Sequence, residues 1–209
     1  MTDPRPATDA FGEDPLEEHV VESRLIHRGR YLEFRVDTIA RADGSGGTRD
    51  VVGHPGAGAV LALDVDGRVL LVRQWRIPAR RAMLEIPAGT LDVHDGVTED
   101  PFLAARRELE EETGHRAATW RTLAQFWTAP GFASEVMHLY LATGIQRVTG
   151  DDRLTPDEDE RLELSRVTID EALAMVDDGT ISDAKTILGV LWLDRLRRAG
   201  ELAEGASAT

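Results

Sequence analysis

Hydrophobic and polar positions alternate with period two through much of the first half of the chain, and helical spacing enters only once there before dominating the end. In Tyr31–Ile39, Leu32, Phe34 and Val36 alternate with Glu33, Arg35 and Asp37, as a half-buried strand requires. Val20–Ile26 and Arg49–Val52 read as strands on either side of it, set off by turns at Arg28-Gly29-Arg30 and Ala42–Gly47. Gly58–Val65 and Arg68–Gln74 flank Asp66-Gly67, which predicts a hairpin. Met83–Ile86 is a short strand ending at Pro87. Residues 99–113 predict a helix with Thr98 or Asp100 as cap, Pro101 in the first turn and Gly114 as a left-handed stop. Strands follow near Thr119–Phe126, Val136–Ala142 and Glu163–Val167, with an acidic loop, Gly150–Glu160, before the last. Two helices close the chain: Ile169–Asp177, stopped by Gly179, and Ser182–Arg198. Strands early, helices late and one helix among the strands predict an α+β sandwich of mixed sheet and helices. The expected division is a mobile tail over 1–18, an antiparallel β region over 19–54, a main domain over 55–198 and a second tail over 199–209.

Composition narrows the function classes. The 209 residues suit one domain, and 38 acidic against 24 basic residues give a net charge of −14. That balance argues against nucleic-acid binding, which needs cations facing phosphates. It fits either a solvated acidic surface or carboxylates that hold metal, and only local spacing separates the two. The absence of cysteine excludes disulfides, thiolate zinc sites and a cysteine nucleophile. No apolar run approaches the roughly 20 residues needed to cross a bilayer, and Met1-Thr2-Asp3-Pro4 begins no apolar signal core. A cytoplasmic protein with no membrane partner is the expectation.

The chemistry concentrates in Arg107-Glu108-Leu109-Glu110-Glu111-Glu112-Thr113-Gly114. At 3.6 residues per turn Glu108 and Glu112 share one helix face with Glu111 beside them, while Ala105 and Leu109 form an apolar stripe on another. The helix can therefore pack down and still present carboxylates. Their mutual repulsion calls for compensation, which Mg²⁺ or Mn²⁺ would supply. Arg107 can pair with Glu111 one turn on.

With Gly89 upstream and Glu99 eight residues before Arg107, the segment resembles the Nudix box. Glu99, Arg107, Glu108, Leu109, Glu111, Glu112 and Gly114 match in register. Two positions depart from the pattern. Nine residues rather than the usual five separate Gly89 from Glu99, and His115 replaces a final apolar residue, which suggests a half-exposed position. The resemblance implies a Nudix-type α/β/α sandwich and hydrolysis of a nucleoside diphosphate linked to another moiety. His54-Pro55-Gly56-Ala57, Arg73-Gln74-Trp75-Arg76, Leu84–Gly89 and Thr128–Glu135, with the paired final helices, resemble the ADP-ribose pyrophosphatase branch over roughly residues 49 to 195.

That branch implies a set of roles. Glu108, Glu111, Glu112 and the carbonyl of Ala88 would bind Mg²⁺ or Mn²⁺, and Arg107 would orient the glutamates. A late-loop acid would act as base, with Glu158 and Glu160 favoured and Asp159 an alternative. Arg76 and Arg49 would contact phosphates, and Gly89, Pro130, Gly131 and Phe132 would line the substrate. Trp75 and Phe132 could be core residues or adenine platforms. The branch also implies a homodimer whose N-terminal strands cross to the partner, with Tyr31–Val52 as the exchanged segment. A Nudix enzyme for another nucleotide or nucleotide sugar, and a non-catalytic nucleotide sensor, are the alternatives.

Overall fold

Twelve strands and three helices follow one another in a computed structural model that describes residues 14, 16–150, 153–155 and 161–202. The strands are β1 (Glu18–Arg28), β2 (Glu33–Arg41), β3 (Gly46–Gly53), β4 (Ala57–Ala62), β5 (Val69–Arg76), β6 (Arg81–Glu85), β7 (Ala88–Thr90), β8 (Val93–His94), β9 (Val97–Thr98), β10 (His115–Trp127), β11 (Val136–Arg147) and β12 (Glu163–Val167). The helices are α1 (Pro101–Thr113), α2 (Ile169–Asp177) and α3 (Ala184–Arg198).

Alternation along the central strands sends neighbouring side chains into two different cores. Ala57, Ala59 and Leu61 of β4, Val69 and Leu71 of β5, and Leu139 and Leu141 of β11 pack with Ile169, Ala172, Val190, Leu193 and Leu196 from α2 and α3. The residues between them, Val60, Ala62, Leu70, Tyr140 and Ala142, pack on the other side with Ala105 and Leu109 of α1. Period-two strands buried on both faces with helices above and below make the α/β/α sandwich. The stripe expected on α1 is the face that packs.

The sheets run in the orders β1-β2-β3, β10-β11-β4-β7 and β12-β5-β6, with β8 and β9 a pair of their own. This corrects the hairpin expected around Asp66-Gly67. The turn forms, with Asp64 accepting from the amides of Asp66 and Arg68 and Gly67 at φ 72, but only the Leu63–Val69 bridge joins its arms. Beyond it β4 pairs with β11 and β7, and β5 with β12 and β6. Turn chemistry fixed the reversal. Strand β4 and the first half of β5 are buried on both faces, and their wider pairing is decided by tertiary contacts.

The helix expected over 99–113 starts at Pro101. Asp100 is its cap, accepting from the amides of Phe102 and Leu103, and Gly114 ends it at φ 71 with its N–H on the Glu110 carbonyl. The longer spacing before the helix is a small hairpin, β8–β9, turning on Asp95 and Gly96, both at positive φ. Among the described residues no helix is long and apolar enough to cross a membrane.

Candidate active site

Two glycines opposite each other bring α1 onto the sheet. Gly58 of β4 pairs with Gly89 of β7. A Cβ at Gly58 would lie 2.9 Å from the Pro101 carbonyl oxygen and 3.0 Å from the Ala105 nitrogen, so only glycine admits the helix backbone there. A Cβ at Gly89 would lie 1.8 Å from Glu108 Oε1, so the carboxylate rests on bare main chain.

From this seat α1 presents its acids around one guanidinium. Arg107 Nη1 donates to Glu108 Oε1 at 2.7 Å and to Glu111 Oε2 at 2.9 Å, and its Nη2 donates to Glu99 Oε2 at 3.0 Å. The expected Arg107–Glu111 pair is present, as one arm of a larger cluster. Burial works against the charge of Arg107, but Glu99, Glu108 and Glu111 outweigh it and hold its pKa above the ordinary value. Burial likewise pushes Glu99 up, yet the hydrogen bonds from Arg107 and the Asp92 amide leave it below its usual range. Glu112, buried, accepts from the Ala88 amide at 3.0 Å, which ties the helix to β7. Glu110 faces elsewhere, paired with Arg116 at 2.6 and 2.7 Å.

Beside Glu112 lies a second charged cluster. Glu85, 1% exposed, accepts two hydrogen bonds from Arg76, both at 2.7 Å, and one from Lys185 at the start of α3. Asp183 caps α3 and also pairs with Lys185 at 3.1 Å, while the Thr186 hydroxyl receives the Ile86 amide at 2.9 Å. Burial opposes ionisation of Glu85, but the two cations win and its pKa falls. The pKa of Arg76 is raised, first by its bonds to Glu85 and further by the charges of Glu85, Glu112 and Asp183. Arg76 and the α1 carboxylates thus share one electrostatic neighbourhood.

The other expected residues are placed as follows. Pro130, Gly131 and Phe132 lie on an exposed turn stitched to β3, with the Val52 amide on the Phe132 carbonyl at 2.7 Å. The same loop is held by His54, whose Nδ1 accepts from the Gly56 amide and whose Nε2 lies 3.5 Å from Glu135. Trp75 and Phe132, 59% and 58% exposed, are surface residues rather than core. Arg49 pairs with Glu18 on the N-terminal sheet, and among the described residues it makes no hydrogen bond to α1. Asp157, Glu158, Asp159 and Glu160 lie outside the described residues. His115 departs from its expected half-exposed position. It is buried, with Nδ1 2.8 Å from the Thr113 carbonyl and Nε2 3.3 Å from Arg166 Nη2. A histidine replaces an apolar residue there because both ring nitrogens find partners.

Sequence reading passed over Lys185 and the Glu85 pairing, because the partners lie 100 residues apart and carry no local signal. The Asp95-Gly96 hairpin had one, a left-handed dipeptide between Val93-His94 and Val97-Thr98.

Among the described residues, no three His, Cys, Asp or Glu side chains converge closely enough to form a metal site as they stand. The donor set nonetheless fits a hard divalent cation. Glu108 and Glu111 offer carboxylate oxygens to a single guanidinium nitrogen, and Glu108 lies in a cradle that any Cβ at Gly89 would fill.

Comparison with known proteins gives a consistent picture. Residues 52–188 match the NUDIX domain family. A methanol dehydrogenase activator of Bacillus methanolicus is 39% identical over 178 residues, covering 85% of this chain and 93% of that protein. An ADP-ribose pyrophosphatase of Bacillus subtilis (strain 168) is 37% identical over 178 residues, again covering 85% and 93%. The crystal structure of an ADP compounds hydrolase superposes with a TM-score of 0.74 at 20% identity, covering 91% of this chain and all of that one, a likeness of fold.

Proposed function

The chain belongs to the Nudix family and is a pyrophosphohydrolase of nucleoside diphosphate derivatives, and from that premise we propose that it cleaves ADP-ribose to AMP and ribose 5-phosphate. The observation that carries the reading is the Arg107 cluster on its glycine seat, with Arg76 close enough to feel Glu112. Carboxylates for cations and a guanidinium for phosphate, side by side, suit a diphosphate held between them. The relative from Bacillus subtilis supports the choice of substrate.

In this reading Glu108, Glu111, Glu112 and the Ala88 carbonyl hold Mg²⁺ or Mn²⁺. Bound there, the ions would neutralise phosphate charge and lower the pKa of a water. Arg107 orients Glu108 and Glu111, and Glu99 holds Arg107 in turn. The Ala88 amide fixes Glu112. Arg76, anchored by Glu85, presents its remaining N–H donors to a phosphate oxygen. Gly89 serves the substrate by leaving room for the Glu108 carboxylate, and the turn carrying Pro130, Gly131 and Phe132 offers an exposed aromatic face to a base. Glu158 or Glu160 supplies the base. Arg49 contributes to phosphate binding only if a second copy brings it to the site.

A homodimer is part of the proposal. Val20, Val21, Leu25 and Ile26 of the edge strand β1 are 42–63% exposed, an apolar surface that a second copy would cover. Light scattering of the purified chain should give twice the chain mass; a monomer refutes this part.

The deciding experiment is a substrate panel with Mg²⁺ and with Mn²⁺, reading phosphate release after phosphatase coupling. ADP-ribose should show the highest kcat/KM. A different nucleotide sugar or a dinucleoside polyphosphate at the top would replace it as substrate. No turnover of any member would favour a nucleotide sensor.

A further inference from the structure

At the C-terminal end of α1 a cavity of about 530 Å³ opens against Glu112 and is ringed by Arg147, Arg153, Arg161 and Arg166. Four guanidinium groups around one space outnumber the single carboxylate that lines it, Glu112, and leave positive charge for an anion to share. In a chain with 38 acidic and 24 basic residues, arginines find carboxylates readily, and Arg76, Arg107 and Arg116 all do. These four do not. Among the described residues the guanidinium groups of Arg147, Arg153 and Arg161 make no hydrogen bond or ion pair, and that of Arg166 bonds only to the His115 ring.

Two local features set where the guanidinium groups lie. Gly114, with no side chain, lets the Arg153 guanidinium lie on the helix end; a Cβ there would meet its Cζ at 2.9 Å. His115 gives its Nδ1 proton to the Thr113 carbonyl, which leaves Nε2 as an acceptor that steers Arg166. Burial, and then the charges of Arg166, Arg147 and Arg153, hold the His115 pKa below its ordinary value, so the ring stays neutral and adds no further cation. Leu162 and Leu164 supply an apolar side to the cavity.

We propose that this arginine-ringed cavity is a second anion site, adjoining the diphosphate site at Glu112, and that it takes a phosphate monoester. A guanidinium matches phosphate oxygens with two parallel bonds, and a dianion is the charge that several arginines can share. The source of the phosphate rests on the hydrolase reading above. It is either the released sugar phosphate or an additional phosphate on the distal half of a larger substrate.

Calorimetry on the full chain in EDTA, at physiological ionic strength, tests the site without turnover. Ribose 5-phosphate and inorganic phosphate should bind with Kd at or below about 1 mM. Arg147→Gln and Arg161→Gln, both at exposed positions, should each weaken binding about tenfold while leaving thermal melting unchanged. No binding, or binding that survives both substitutions, overturns the proposal. Because the measurement needs no reaction, it stands apart from the choice of ADP-ribose as substrate. Two kinetic arms then assign the source. Inhibition by ribose 5-phosphate that the variants relieve assigns the released product. A preference for a substrate phosphorylated on its distal half, lost in the variants, assigns the substrate.

Discussion

Two charged clusters flank the short β6–β7 segment, and they differ in their balance of charge. Around Arg107 one cation is shared by Glu99, Glu108 and Glu111; around Glu85 one carboxylate is shared by Arg76 and Lys185. The first is short of positive charge, whereas the second is balanced, because Asp183 also pairs with Lys185. Cations bound at the first would supply what it lacks, and Arg76 in the second keeps N–H donors for phosphate oxygens. The difference teaches that the site is divided before any ligand arrives. Its acidic half is mounted on α1, and its basic half is anchored where α3 meets β6.

The division can be broken from the acidic side first. Glu112→Gln should lower turnover by about three orders of magnitude, the loss expected when several kcal/mol of metal-dependent charge stabilisation disappears. The fold should remain intact by circular dichroism, and near-normal turnover would remove Glu112 from the metal set. Next, Gly89→Ala places a methyl where the Glu108 carboxylate lies and should cost about 10²-fold in kcat by displacing it, as a small misplacement at a reacting centre does. Its melting temperature should move little; an unchanged kcat would mean that Glu108 needs no such seat.

On the basic side the main loss should be stability. Glu85→Gln leaves buried Lys185 and the partly exposed Arg76 without their shared carboxylate, and urea unfolding should show a loss of about 3 kcal/mol. Unchanged stability would make this cluster dispensable to the fold. The smallest effect separates both clusters from the rest of the molecule. Burial holds His54, His115 and His138 below the ordinary histidine value of 6.5, so below that pH the unfolded chain binds protons that the folded chain refuses. Their contribution is complete above pH 6.5 and is lost as pH falls. Glu85 and Glu99, held below the ordinary 4.5, contribute until the pH falls further, through their lowered values. A urea midpoint that declines from pH 6.5 to 5 therefore reports the histidines, and a flat profile there would contradict their burial.

Local pattern made most of this legible. The period of each strand, the Asp100 cap, the Gly114 stop and the register of Glu108, Glu111 and Glu112 are all properties of neighbouring residues. What stayed hidden depends on distance along the chain. Strands β4 and β5 part company because partners far away, β11 and β12, claim them. Lys185 reaches Glu85 only because α3 packs back over the sheet, and the four arginines of the cavity come from β11, β12 and the chain between them. His115 reads as half-exposed because nothing near it in sequence reveals Arg166.

The facing glycines Gly58 and Gly89 carry a consequence for how such an enzyme can change. With main chain alone beneath the helix and beneath Glu108, the alignment of the acids is inherited from the sheet rather than from neighbouring side chains that could repack. The rim is made differently, from a small hairpin, an exposed turn and strand ends, all of which tolerate replacement. Such a molecule can exchange the partner it recognises while its bond-breaking apparatus stays in place.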